Sequence, residues 1–225
     1  SGTPRADGMA LTEGRLFVGL QNINGAFTEY GPGRVAVIAP VTGVVDRALT
    51  LNGKNPFGPP AVHPTTGDLY FAMAGTFRGG LAQELSGGVE VIDPRSLTVL
   101  GLRVDDDALG GNVSSVALAE TLATAGSGFP AVIGYCVITT PAGQNVVRAF
   151  DPDSGAVYAG AVWQSASFLP EVVADGDGWI LIVEHDITTP RVLFLEAATG
   201  ALIAAPQLSL PPFSVAVLTR HVTGV

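Results

Sequence analysis

"VVRAFDPDSGAVY" (residues 146–158) is an apolar run, a five-residue turn sequence and a second apolar run. Its centre, Asp151-Pro152-Asp153-Ser154-Gly155, admits two readings: the opening of an oxygen-ligand ion loop, or a tight turn between two strands. An EF-hand loop counted from Asp151 needs a bidentate acid at its twelfth position, where Val162 stands. Three other segments share the shape: "RVAVIAPVTGVV" (34–45), "GVEVIDPRSLTVL" (88–100) and "RVLFLEAATGALI" (191–203). Their turns, "APVTG", "DPRSL" and "EAATG", keep the turn character and drop the paired carboxylates. Pro152 presets φ, Asp151 can accept nearby backbone N–H groups and Gly155 supplies a positive φ, so the stretch reads as a turn.

The four copies then act as a ruler. The residue before each turn is Ala39, Asp93, Asp151 and Glu196, at intervals of 54, 58 and 45 residues. Upstream of each copy lies another apolar run: "GRLFVGL" (14–20), "GDLYFAM" (67–73), "FPAVIGYCVI" (129–138) and "GWILIVE" (178–184). Before those come "GMAL" (8–11), "PAVH" (60–63), "SVAL" (115–118) and "EVVA" (171–174). Four strands per unit at a period near 50 is the pattern of an all-β propeller built from four-stranded antiparallel blades, not of a helical solenoid. The near-continuous apolar runs fit strands sandwiched between neighbouring blades rather than strands with one wet face.

The blades are predicted over residues 5–55, 56–111, 112–168 and 169–210 of a single propeller domain or propeller fragment. "PPFSVAVLTR" (211–220) reads as an extra innermost strand, with Val215-Ala216-Val217 aligned to Met9-Ala10-Leu11. An innermost strand without its own blade leads to the expectation that blades preceding Ser1 belong to a larger, seven-bladed ring; a four-blade ring with a strapped-on tail is the alternative. Two insertions, "TFRGGLAQELSGG" (76–88) and "LAETLATAGSG" (118–128), interrupt the pattern, and each has room for one or two helical turns.

Composition agrees with this reading. The chain is 47% hydrophobic and 14% charged, with 29 Gly and 16 Pro among its 225 residues; ordinary domains carry about 25% charged residues. Gly and Pro at that density break helices, and at this length about 70% of the unfolded surface can be buried. A net charge of −9 with 11 Lys and Arg lacks the basic stripe that phosphate recognition needs, and argues equally against an anionic membrane surface. No run reaches the roughly 20 apolar residues of a membrane span. Cys136 is the single cysteine, which removes a disulfide framework and a cysteine metal cluster. Asn112-Val113-Ser114 matches a glycosylation sequon that matters only in a eukaryotic secretory route.

The segments "DGMALTEGRLFVGLQ" (7–21), "VTGVVDRALTLNGKNPFG" (41–58), "VHPTTGDLYFAMAG" (62–75) and "GGVEVIDPRSL" (87–97) resemble the YVTN/NHL-like bacterial β-propeller repeat proteins, in particular secreted or lipid-anchored ones. The resemblance implies a propeller outside the cytoplasm, in a bacterial periplasm or at a cell surface, acting as a binding or surface module. It transfers no catalytic set, and fold alone would not establish a function.

Candidate chemistry is thin. Asp175 and Asp177 in "ADGDGW" (174–179) could form an oxygen-rich ion site, but they fall where every unit turns from its first strand to its second. Asp105, Asp106 and Asp107 in "VDDDALGG" (104–111) read as a solvated acidic loop, with a bridging Ca²⁺ as the alternative. A structural Ca²⁺ is thus the one ion left open, and no cofactor is expected. His63, His185 and His221 lie in different units without a zinc-binding spacing. In Glu184-His185-Asp186, adjacent strand residues point to opposite faces. Cys136 sits among apolar residues as a small buried hydrophobe, and "GSG" (126–128) lacks the strand and helix of a nucleophile elbow. Trp163, Phe168 and Phe213 lie near strand ends, where aromatics either seal the core between blades or anchor a partner; His185 joins them as a binding candidate. The expected function is a non-catalytic, extracytoplasmic protein-binding or scaffolding propeller, an accessory subunit of a larger assembly. The alternative is a lactonase-like hydrolase holding a divalent ion at the central channel, which requires acids such as Asp105 and Asp175 to meet His185 there.

Overall fold

The computed structural model describes residues 3–26, 28–78, 82–122 and 130–217. They form four four-stranded antiparallel sheets, the blades of a β-propeller. Blade 1 contains β1 (Thr3–Thr12), β2 (Arg15–Ile23), β3 (Pro32–Ala39) and β4 (Val44–Lys54), paired in that order. Blade 2 contains β5 (Ala61–Val62) and β6 (Leu69–Met73), then, after the inserted hairpin β7 (Thr76–Arg78) and β8 (Ala82–Glu84), β9 (Gly88–Asp93) and β10 (Thr98–Asp105). A short helix α1 (Asp106–Leu109) leads into blade 3: β11 (Asn112–Glu120), β12 (Val132–Thr139), β13 (Asn145–Phe150) and β14 (Trp163–Ser165). Blade 4 is β15 (Phe168–Ala174), β16 (Trp179–His185), β17 (Arg191–Glu196) and β18 (Leu202–Ala204).

Burial follows the period expected for stacked blades. The second strands of the two inner blades are buried on both faces, every residue of β6 and all but the last of β12, because a neighbouring blade lies on each side. The outermost strands β4 and β10 alternate instead, since one edge of each blade meets water. Alternate residues feed different cores. Leu69, Phe71 and Met73 of β6 join Phe17, Val35 and Val37 of blade 1, whereas Tyr70 and Ala72 join Cys136, Ile138 and Phe150 of blade 3. Ile133, Tyr135 and Val137 of β12 turn the other way, onto Ile180, Ile182 and Leu193 of blade 4.

Polar clasps fix the blades to one another. The fully buried Glu90 carboxylate of blade 2 accepts from Asn52 N (2.7 Å), Asn52 Nδ2 (2.9 Å) and Gly53 N (2.8 Å) of blade 1. Ser115 Oγ on β11 donates to Val172 O and accepts from Val172 N on β15. Buried groups satisfied in this way avoid the roughly 1–3 kcal/mol penalty of an unmet donor or acceptor.

Three details differ from the sequence reading. The described part of the 76–88 insertion is a β-hairpin rather than a helical turn; residues 79–81 of it, and 123–129 of the second insertion, lie outside the described residues. Val215, Ala216 and Val217 do line the inner cavity beside β5, β11 and β15, in the place of an innermost strand, but form no ladder. Among the described residues no second strand pairs with them; residues 218–220 lie outside the described set. The acidic loop at 105–107 is the third: α1 buries its middle carboxylate, Asp106. Among the described residues no helix is long and apolar enough to cross a membrane.

Candidate functional site

In the turn at 151–155 the Asp151 carboxylate is occupied with the backbone. Asp151 Oδ1 accepts from Asp153 N (2.8 Å) and Ser154 N (3.2 Å). Burial pushes the Asp151 carboxyl up, but hydrogen bonds from Ser154 and Asp153 and the nearby Arg103 outweigh it and hold the group below its ordinary range. The outward side of the turn serves the preceding blade: Tyr70 Oη donates to Pro152 O at 2.9 Å and Arg103 Nη1 to Asp153 O at 2.5 Å. The same position recurs one blade on, where Tyr135 Oη donates to Ala197 O.

The other acids are likewise spread among structural tasks. Asp175 accepts from Asp177 N (2.8 Å) and Trp179 N (2.9 Å), closing the β15–β16 turn, while Asp177 is exposed. Asp105 caps α1 by accepting from Asp107 N (3.0 Å), Asp107 is exposed, and Asp106 accepts from Gly87 N (2.8 Å). Burial, against the opposing Gly87 hydrogen bond, and the charges of Asp105 and Asp107 raise the Asp106 carboxyl to about 6. Among the described residues no three His, Cys, Asp or Glu side chains are gathered to share an ion. The inner cavity between the first strands, of about 380 Å³, is lined by Glu171 as its one ionisable described residue. Glu171 already accepts from Ser214 Oγ (2.8 Å) and Val215 N (3.0 Å).

Glu184, His185 and Asp186 diverge as strand geometry demands. Buried Glu184 pairs with Arg191 and Ser165. Asp186 accepts from Ser167 Oγ, Thr189 N and Thr188 N, which lower its carboxyl to about 2. His63 is buried, its Nδ1 accepting from Thr65 and Thr66 N–H; His221 and Gly126–Gly128 lie outside the described residues. Cys136 is fully buried, and desolvation pushes its thiol up to about 12, a protonated and unreactive state. Trp163 is half-buried beneath the Arg191 guanidinium, 5.7 Å from the ring centroid.

The remaining candidates converge. Phe168 at the start of β15 is paired across the sheet with His185 at the end of β16, and Phe213 folds back onto both. The rings lie edge to face, His185–Phe213 at 4.9 Å, Phe168–Phe213 at 6.1 Å and Phe168–His185 at 6.4 Å between centroids. His185 Nδ1 is 3.0 Å from Pro212 O, which holds the returning chain in place. Phe168 and Phe213 remain 42% and 67% exposed, so these rings do not seal a core. Sequence reasoning singled out each ring but not their meeting. The signal was the β15–β16 register, which sets position 168 opposite 185.

No family model and no curated protein matches the chain. Solved structures do. Hydrazine synthase from Kuenenia stuttgartiensis superposes with a TM-score of 0.61 at 15% identity, over 92% of this chain and 51% of that one. The Dos1 propeller gives 0.54 at 10% identity, over 92% and 48%. The β-propeller domain of the Trilobed protease from Pyrococcus furiosus, described as having an open velcro topology, gives 0.51 at 11%, over 93% and 58%. At these identities the likeness is one of fold, and the chain spans about half the length of these solved chains.

Proposed function

We propose that the chain is a non-catalytic β-propeller module of the YVTN/NHL-like kind that binds a protein partner outside the cytoplasm. The observation that carries this reading is the Phe168–His185–Phe213 cluster. Aromatic rings held rigid by one another yet open to solvent lose little conformational freedom on binding, and such residues dominate interface energetics. The net charge of −9 points to a partner with a neutral or basic face.

The outer face of blade 1 belongs to the same reading. Met9, Leu11 and Val45 are exposed there, as is Val41 at the turn, and they serve as a seat for further blades, supplied by the same polypeptide or by another chain. Photo-crosslinking from a benzoylphenylalanine at position 213, in cells that make the protein, tests the main claim. A discrete protein adduct that Phe168→Ala reduces at least about fivefold supports it. A chain that yields no adduct, and that hydrolyses a lactone only with added Ca²⁺, would replace the binding module with the hydrolase.

A further inference from the structure

The interfaces between blades 2 and 3 and between blades 3 and 4 share one plan, and they differ in what fills the outer edge. In each, a tyrosine of the earlier blade donates to a carbonyl in the later blade's turn: Tyr70 to Pro152 O, and Tyr135 to Ala197 O. In each, the turn glycine closes against the earlier blade's outer segment. A Cβ on Gly155 would meet Arg103 O, and one on Gly200 would meet Val162 Cγ1. The register makes the places equivalent: Arg103 precedes Val104, which pairs with Val89, and Val162 precedes Trp163, which pairs with Val147, each partner four residues before its blade's turn.

Arg103 fills its place. It is half-buried, donates Nη1 to Asp153 O at 2.5 Å, and reaches the hydroxyl of Tyr70. Val162 has neither the length nor the donors to do the same. The residues before it, Ala159, Gly160 and Ala161, are small, and a cavity of about 460 Å³ opens between Tyr135, Tyr158, Val162 and Thr199. That volume is within the range of sites that hold small organic groups. Among the described residues no charged side chain lines it. Ala198 stands where Asp153 does, and no described backbone N–H donates to its carbonyl. Glu196 stands where Asp151 does, at the position whose carboxylate faces the guanidinium of Arg103. Tyr158, 37% exposed, presents its ring as one wall.

We propose that this cavity receives the guanidinium of an arginine side chain from a partner protein, seated as Arg103 is seated in its own interface. A planar donor fork matches a carbonyl and a tyrosine hydroxyl on one side and an aromatic wall on the other, which an ammonium does not. The cavity opens to solvent, so the cation keeps part of its hydration, and the acidic chain attracts it. This inference stands on a different surface from the aromatic cluster and does not depend on it.

The test titrates the full chain with N-acetyl-L-arginine amide, N-acetyl-L-citrulline amide and a capped Gly-Gly-Arg-Gly-Gly peptide, by calorimetry and by shifts of the Tyr158 ring resonances. The arginine compounds should bind with Kd on the order of 1 mM, and citrulline, of the same shape but uncharged, at least about fivefold more weakly. Val162→Arg should abolish binding by supplying its own guanidinium, and Arg103→Ala should raise the stoichiometry from one to two by opening the equivalent place between blades 2 and 3. Tyr158→Ala, at a half-exposed position, should weaken binding about threefold and serves if Val162→Arg does not fold. Equal binding of arginine and citrulline, binding unmoved by a folded Val162→Arg or by Tyr158→Ala, or binding of the amide without the peptide would each overturn the assignment.

Discussion

The turn Asp151–Gly155 of blade 3 and the turn Ala39–Gly43 of blade 1 close the same two strands of their blades, yet only the first is docked. Its Pro152 and Asp153 carbonyls take hydrogen bonds from blade 2, and Gly155 rests on Arg103 O so closely that a Cβ would lie 2.1 Å away. At the second turn Val41 is 96% exposed and a Cβ on Gly43 would meet nothing within 4 Å. The same local chemistry, a glycine at φ near +70° closing a hairpin, is thus a joint in one place and a bare end in the other. What makes the joint is the neighbouring blade.

Alanine at the two glycines should separate these situations most widely. Both residues have positive φ, 77° and 70°, a strain of about 1 kcal/mol for a residue with a Cβ. Gly43→Ala should show that alone, whereas Gly155→Ala adds a collision with rigid backbone and should lose about 3 kcal/mol or more in urea unfolding. Equal losses would mean that the docking of the turn contributes nothing. Next in size is Tyr135→Phe, which leaves the buried Ala197 carbonyl without its donor. A loss of roughly 1–2 kcal/mol is expected, and a negligible one would reduce the tyrosine to packing.

The carboxyl of Asp106, held by Gly87 N where β9 begins, supplies a pH test. It is raised on folding from 3.8 to about 6, so its support for the fold is complete below the lower value and lost as pH rises through the upper. Asp106→Asn keeps an acceptor for Gly87 N and should flatten that decline, raising stability at pH 7 by on the order of 1 kcal/mol; an unchanged profile of Tm between pH 4 and 7 would remove Asp106 from it. Smallest of all should be Val41→Asp, within about 0.5 kcal/mol in the isolated chain. A fall in Tm well beyond that would show the bare turn to be covered after all.

The sequence carried the repeat because period, turn chemistry and apolar runs are local properties. The strand pattern, the turn at 151–155 and the inertness of Cys136 were all readable from neighbours within a few residues. The clasps were not. Tyr70 and its acceptor lie 82 residues apart and Tyr135 and its acceptor 62, and nothing near either tyrosine announces a carbonyl belonging to the next blade. Asp106 failed for a different reason. Three adjacent acids read as solvated, but one turn of helix capped by Asp105 is enough to rotate the middle carboxylate inward. Phe168, His185 and Phe213 were recognisable singly, and their cluster required the strand register and the course of the chain after β18.

The Ser115 hydroxyl bridging β11 and β15 has a consequence for measurement. The Val172 amide is shielded by a side chain of the other blade rather than by its own sheet. Its exchange with deuterium therefore times the parting of blades 3 and 4, while the neighbouring amides that bond within blade 4 time the fraying of a sheet. One backbone proton can thus serve as a clock for inter-blade breathing.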